Sequence, residues 1–101
     1  MIYKIRRTLE ARRDLIGIAR YTNNQWGKKQ LHAYMSELEE TIQQLIRDPQ
    51  KNGLERFKIK HGLRTLTHKN HYFIFYRIED ESVILLRVLH QRRNWQKIIS
   101  T

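Results

Sequence analysis

The sequence predicts an α+β fold: elements in the order β-α-α-β-β-β, an antiparallel sheet with an N-terminal helical hairpin packed on one face. Three observations lead there. Through the first half, apolar residues recur every three or four positions, the spacing of a helix. After the turn-forming stretch DPQKNG, residues 48–53, the spacing drops to two, that of a strand. No linker-like segment or internal repeat divides the 101 residues, so residues 1–101 read as a single domain.

The elements follow in order. Residues 2–6, IYKIR, alternate imperfectly, with Ile2 and Ile5 as the apolar positions of a short first strand. Thr8 is a suitable helix N-cap. Leu15, Ile18, Ala19, Thr22 and Trp26 then fall on one helical face, and Asn23, Asn24 and Gly27 mark the end of that helix. Leu31, Tyr34, Leu38, Ile42 and Leu45 form the apolar face of a second helix. Asp48-Pro49 stops it, because a residue before proline avoids helical dihedrals. The short connection at Gly27 folds the two helices back on each other.

Residues 48–53 read as a loop. Beyond it, GLRTLTH sets Leu63 and Thr65 against Arg64 and Leu66. Lys69-Asn70 turns that strand into HYFIFYRI, with Tyr72, Ile74, Tyr76 and Ile78 on one side and Phe73, Phe75 and Arg77 on the other. EDES, residues 79–82, turns it again into VILLRVLH. There Val83, Leu85 and Leu89 alternate with Ile84, Leu86 and Val88. Both faces of the last two strands are therefore apolar. A sheet covered by helices on one side should show water a polar face. A contiguous apolar face left open usually marks a partner site; the alternative is that strand twist and the chain ends cover it.

Charge narrows the class of partner. Twenty Lys and Arg oppose ten Asp and Glu, for a net charge of +10. Residues 51–101 carry +7 of this and residues 1–50 carry +3. Such a surface attracts polyanions: RNA, DNA or an acidic protein segment. There is no cysteine, which excludes disulfides and thiolate metal sites. No apolar run approaches the ~20 residues of a membrane span. The N-terminus does not read as a signal peptide, so a cytoplasmic protein without membrane contact is expected.

The chemistry-bearing residues are mostly basic and aromatic. His32, His61, His68, His71 and His90 do not show a metal-binding spacing, and no metal or other cofactor is expected. There is no phosphate-binding glycine loop and no nucleophile elbow. The strand VILLRVL runs directly into HQRRNW, residues 90–95. That junction admits three readings: a ribonuclease site, a docking surface or a solvated strand end. Metal-free RNA cleavage needs a base, an acid and cations to hold the phosphorane charge. His90, His68 or His71 could move protons, and Arg64, Arg92 and Arg93 could hold charge. Trp95 could equally cap the sheet.

Taken together, ARRDLIGIARYTNNQWGKKQLHAYMSELEETIQQL, DPQKNG, GLRTLTHKNHYFIFYRI and LLRVLHQRRNW resemble the ParE-type toxins of the RelE/ParE toxin–antitoxin superfamily. The resemblance runs over most of the chain and implies the β-α-α-β-β-β arrangement already read from periodicity. The RelE-like branch cleaves messenger RNA on the ribosome. Its sheet positions fall here at Arg64, Leu66 and Phe73, and its C-terminal pair at Arg92 and about Ile98. Two of these five are basic and no acid–base group stands at the end, so the resemblance implies a ParE-type toxin without catalytic residues. Such a toxin inhibits DNA gyrase by binding, trapping its cleaved-DNA complex. The RelE-like nuclease and a non-toxic orphan of the same fold are the alternatives.

On this reading His90, Gln91, Arg92, Arg93 and Trp95 form the target-binding edge, with Asn94 standing where many relatives carry Asp. The implied partners are gyrase and a ParD-type antitoxin whose acidic segment folds on binding. That segment is expected to meet Arg12, Arg13, Lys58, Lys60 and Arg64, and to lay its apolar groups over Phe73 and Phe75. No sequence-specific DNA binding by the chain alone is expected.

Overall fold

The computed structural model describes residues 2–56 and 58–100. Strand β1 (Lys4–Arg7) leads into helices α1 (Leu9–Trp26) and α2 (Lys28–Leu45). A short helix α3 (Pro49–Asn52) and a two-residue strand β2 (Leu54–Glu55) follow. Strands β3 (Arg64–His68), β4 (Tyr72–Glu79) and β5 (Ser82–His90) complete the sheet, and α4 (Trp95–Ser100) closes the chain. No described helix is long and apolar enough to cross a membrane.

The strand order is β1-β5-β4-β3-β2. β3, β4 and β5 are antiparallel, as expected; the two-residue β2, absent from the sequence reading, adds an antiparallel edge to β3, and β1 lies parallel to β5, with Lys4 opposite Ser82 and Arg7 opposite Leu85. The sheet is therefore mixed. Alternation in a sequence carries no strand direction, so the helical hairpin's role as a crossover to a parallel partner was not legible. At the start of the chain the inward residues are Tyr3, just before β1, and Ile5 within it, while Ile2 is 72% exposed. The stretch read as a loop, residues 48–53, contains α3: Asp48 caps it by accepting from Lys51 N, and Pro49 occupies the first turn, where its missing N–H costs nothing.

The helices form as expected. Thr8 Oγ1 accepts from Ala11 N at 3.1 Å and caps α1. Gly27, at φ 86°, breaks the chain between α1 and α2 in a region favoured by glycine. Ala11, Leu15 and Ile18 of α1 pack with Leu38, Ile42 and Leu45 of α2 onto Ile74, Tyr76, Val83, Leu85 and Val88 of the sheet. Trp26 departs from this: it lies 70% exposed, beyond Thr22, the last buried residue of α1.

A β-bulge sorts the last strand onto two faces. Phe75 pairs with Arg87 but Tyr76 pairs with Leu85, so Leu86 is an extra residue in β5. Strict alternation would put Leu89 with Val83 and Leu85. The bulge instead sends Val88 to the helical side and Leu89 to the other. The cap residue Thr8 and Asp14 of α1 satisfy the backbone there. Thr8 Oγ1 donates to Leu86 O at 2.9 Å, and Asp14 Oδ2 accepts from Val88 N at 2.9 Å. Asp14 also grips Arg87 with both oxygens, at 2.8 and 2.9 Å.

The second sheet face is closed, contrary to the open apolar surface the sequence suggested. Trp95, Ile98 and Ile99 of α4 lie over Phe73, Phe75, Leu63, Leu86 and Leu89. Phe75 has no exposure and Leu89 has 1%. The chain end supplies the cover, so Phe73 and Phe75 do not present a free docking face. The six-residue α4 was missed because its apolar positions span less than two helical turns.

Candidate functional site

The junction that opened the functional question is a tight turn at the end of β5. Gln91 N donates to His71 O at 2.9 Å, and Arg92 N donates to His90 Nδ1 at 3.1 Å. Arg92, Arg93 and Asn94 are exposed, Gln91 half-buried. Trp95 turns inward, its ring 5.1 Å from Phe73 and 5.5 Å from Phe75. The indole caps the sheet; the free groups of this edge are the two arginines.

Next to it runs an aromatic channel. One lobe, about 580 Å³, lies between the helical hairpin and the sheet and is lined by Tyr21, Trp26, Tyr34, His71, Tyr72 and His90 among others. A second lobe, about 240 Å³, shares Tyr21, Tyr72 and His90 and continues past Gly17 to Arg13 and Arg93. His90 meets the Tyr72 ring edge-on at 5.3 Å. Burial raises the phenols of Tyr34, to about 12, and of Tyr72, with the neighbouring Tyr72 and Tyr21 hydroxyls adding respectively to each. Both hydroxyls therefore stay neutral through physiological pH.

Behind the channel, His68 is 3% exposed. Its Nδ1 lies 2.8 Å from Thr41 Oγ1, whose own proton points to Glu37 O at 3.2 Å. That assigns the neutral ring with Nδ1 protonated and Nε2 a bare acceptor. Burial first, then Lys69 and His71, lower the His68 pKa, while Glu37 opposes them. An unfolded His68 thus takes up its proton at a higher pH than the folded one. Stability is complete above the ordinary value of 6.5 and falls as pH drops below it. We expect His68→Gln to flatten the loss of stability between about pH 7 and about pH 5, measured by urea melts across that range.

The other sequence-chosen residues scatter. Arg12 and Arg13 are exposed on α1, Lys58 and Lys60 on the β2–β3 connection at the far side of the sheet. Arg64 is not free: its guanidinium donates to Gln50 O, to Gly53 O at 2.9 Å and to Tyr76 Oη at 3.4 Å. Tyr76 Oη in turn donates to Pro49 O at 2.6 Å. Arg64 therefore ties α3 to the sheet, with its Nε and Nη2 engaged inside the fold. Leu66 packs on the helical core, and Phe73 and Ile98 pack under α4. The structure brings Arg13, His90 and Arg93 to one channel. Tyr21, Tyr34 and Tyr72 complete it, and sequence reasoning did not place them there; the signal was Tyr21, an aromatic residue off the apolar stripe of α1. Among the described residues no cluster of His, Asp or Glu is arranged to hold a metal.

This fold and edge can be set beside known proteins. A family model described as the ParE toxin of the type II toxin–antitoxin system, parDE, matches residues 5–95. The chain belongs to this family. Among its ParE relatives, Toxin ParE of Escherichia coli is 34% identical over 87 residues, 84% of this chain and 82% of that protein. Toxin ParE1 of Caulobacter vibrioides is 33% identical over 92 residues, 91% of each chain. A structure titled as the chromosomal ParDE system of P. aeruginosa superposes with TM-score 0.76 over 88% of this chain and 96% of that one, at 20% identity, which shows the fold. The RelBE2 toxin–antitoxin complex of Mycobacterium tuberculosis matches with TM-score 0.59 and 28% identity, over 90% of this chain and all of the other. The resemblance read from the sequence is thereby confirmed: the chain is a ParE-family toxin of a type II toxin–antitoxin system.

Proposed function

We propose that this toxin acts in the cytoplasm by binding DNA gyrase, without a catalytic step of its own, and is silenced by a ParD-type antitoxin. The observation that carries the non-catalytic reading is Arg64. Of the five positions aligned with the RelE-like nuclease, Leu66, Phe73 and Ile98 are packed in the fold and Arg64 is held by backbone carbonyls and Tyr76. That leaves exposed Arg92 without a proton-transfer partner in the set. Each missing group is ordinarily worth 10²-fold or more, so the nuclease route is strongly disfavoured.

The target edge is then His90, Gln91, Arg92 and Arg93, with Trp95 holding the turn from beneath. The antitoxin surface differs from the sheet face first considered. Leu9, Arg12, Arg13 and Ile16 fall at i, i+3, i+4 and i+7 on the outer side of α1, and Leu9 and Ile16 are 57% and 51% exposed. This mixed apolar and basic stripe suits an acidic amphipathic segment that folds on contact; Lys58 and Lys60 offer further charge. The decisive experiment is a supercoiling assay with purified gyrase beside a ribosome-dependent messenger RNA cleavage assay. We expect inhibition in the first, no cleavage in the second, and at least tenfold lower potency for Arg92→Glu/Arg93→Glu. Cleavage with gyrase untouched would restore the nuclease reading; inactivity in both would indicate an orphan.

A further inference from the structure

We propose that the aromatic channel binds an unpaired DNA strand without sequence preference, stacking bases on Tyr21 and Trp26 while Arg13 and Arg93 meet the phosphates. The two lobes share Tyr21, Tyr72 and His90, which places them side by side along the same aromatic wall. Its lining is rich in flat rings and poor in aliphatic groups; Ile18 and Val88 occur only in the smaller lobe. A groove made for an apolar helix would present Leu, Ile and Met, whereas π-faces beside cations suit bases and phosphates. Tyr21 and Trp26 stand 60% and 70% exposed, a large apolar area that the monomer itself does not use.

The electrostatics select an anion. Asp14 is the carboxylate among the described lining residues, and Arg87 and Val88 N already engage its oxygens. Arg13 and Arg93 carry no such carboxylate partner there, and the whole chain is +10. Gly17 leaves the floor open, since a Cβ at that position would meet nothing within 4 Å. A sugar–phosphate backbone can therefore run close along α1. The inference stands apart from the gyrase reading, because a positively charged stacking trough would bind a single strand whichever enzyme the toxin attacks.

The test uses the full chain and the oligonucleotide (dT)8. Trp26 reports binding by fluorescence quenching, while Trp95, packed on Phe73 and Phe75, serves as a shielded reference. We expect quenching at low salt that weakens steeply as salt rises. Labelled (dT)8 followed by anisotropy should bind Tyr21→Ala/Trp26→Ala at least tenfold more weakly, the loss of one or two stacked bases, with an unchanged melting curve for the variant. Equal affinity in that variant overturns the proposal. So does tighter binding of (rU)8 than of (dT)8, or equally strong quenching by an acidic peptide of alternating Glu and Tyr, which would make the trough a peptide groove.

Discussion

Replacing Asp14 by alanine is expected to destabilise the protein by about 3 kcal/mol, lowering the melting temperature by on the order of 15 °C. Three hydrogen bonds end on this one carboxylate: two from Arg87 and one from Val88 N. The Asp14 side chain is 9% exposed and that of Arg87 is 23% exposed. Removing the acid leaves a largely sheltered guanidinium and a bulge N–H without their acceptor. Leaving a charge unpaired costs more than the pair itself contributes. Asp14→Asn keeps one acceptor and should fall between the two. Urea denaturation followed by circular dichroism measures both; an Asp14→Ala midpoint equal to that of the parent would show that the pairing contributes nothing. The double variant Asp14→Ala/Arg87→Met should recover part of the loss, because the orphaned charge goes with its partner.

Gly53→Ala is expected to cost about 3 kcal/mol by overpacking. A Cβ at residue 53 would stand 1.9 Å from Tyr76 Oη and 2.8 Å from Cζ. Tyr76 has no exposure and its hydroxyl is held by Pro49 O, so the ring cannot yield. The φ of Gly53 is −128°, so the demand here is for space, not for an unusual backbone. Shifting the ring would also disturb Arg64, which bonds both Tyr76 and Gly53 O. Tyr76→Phe in the same chain removes the nearest clashing atom but not the ring carbons, so it should relieve only part of the cost. Calorimetric melts of the single and double variants decide this, and a fully additive result would refute the contact.

How far the sequence could be read follows from what each signal encodes. Periodicity located both long helices because Leu15, Ile18, Leu38, Ile42 and Leu45 all enter one core. Turn chemistry located both hairpin turns, where Asn70 and Asp80 take the positive φ that Asn and Asp tolerate, although Glu79 and Ser82, read as turn residues, pair with each other as strand ends. The alternation of β4 held throughout, with Tyr72, Ile74, Tyr76 and Ile78 on the helical side. In β5 it failed after Leu85, because a bulge shifts faces without marking the sequence.

Long-range pairing was the least visible. Nothing near Asp14 in the chain announces Arg87, and nothing near Arg64 announces the carbonyls of Gln50 and Gly53. For the same reason Arg64 looked like a functional cation and Phe75 like a docking group. Of the proposed target edge, the exposure of Arg92 and Arg93 was anticipated, whereas the channel beside it depends on residues far apart in the chain, Tyr21, Tyr34, Tyr72 and His90, meeting in the fold.

The pairing of β1 with β5 has a consequence for synthesis. The second segment to emerge from a ribosome, α1, receives its hydrogen-bonding partners at Leu86, Arg87 and Val88 near the end of translation. β1 has no neighbour, and β4 only one, until β5 arrives, so contacts between distant parts of the chain must close late and together. The native packing of α1 and β1 is therefore completed only after the last long strand has been made.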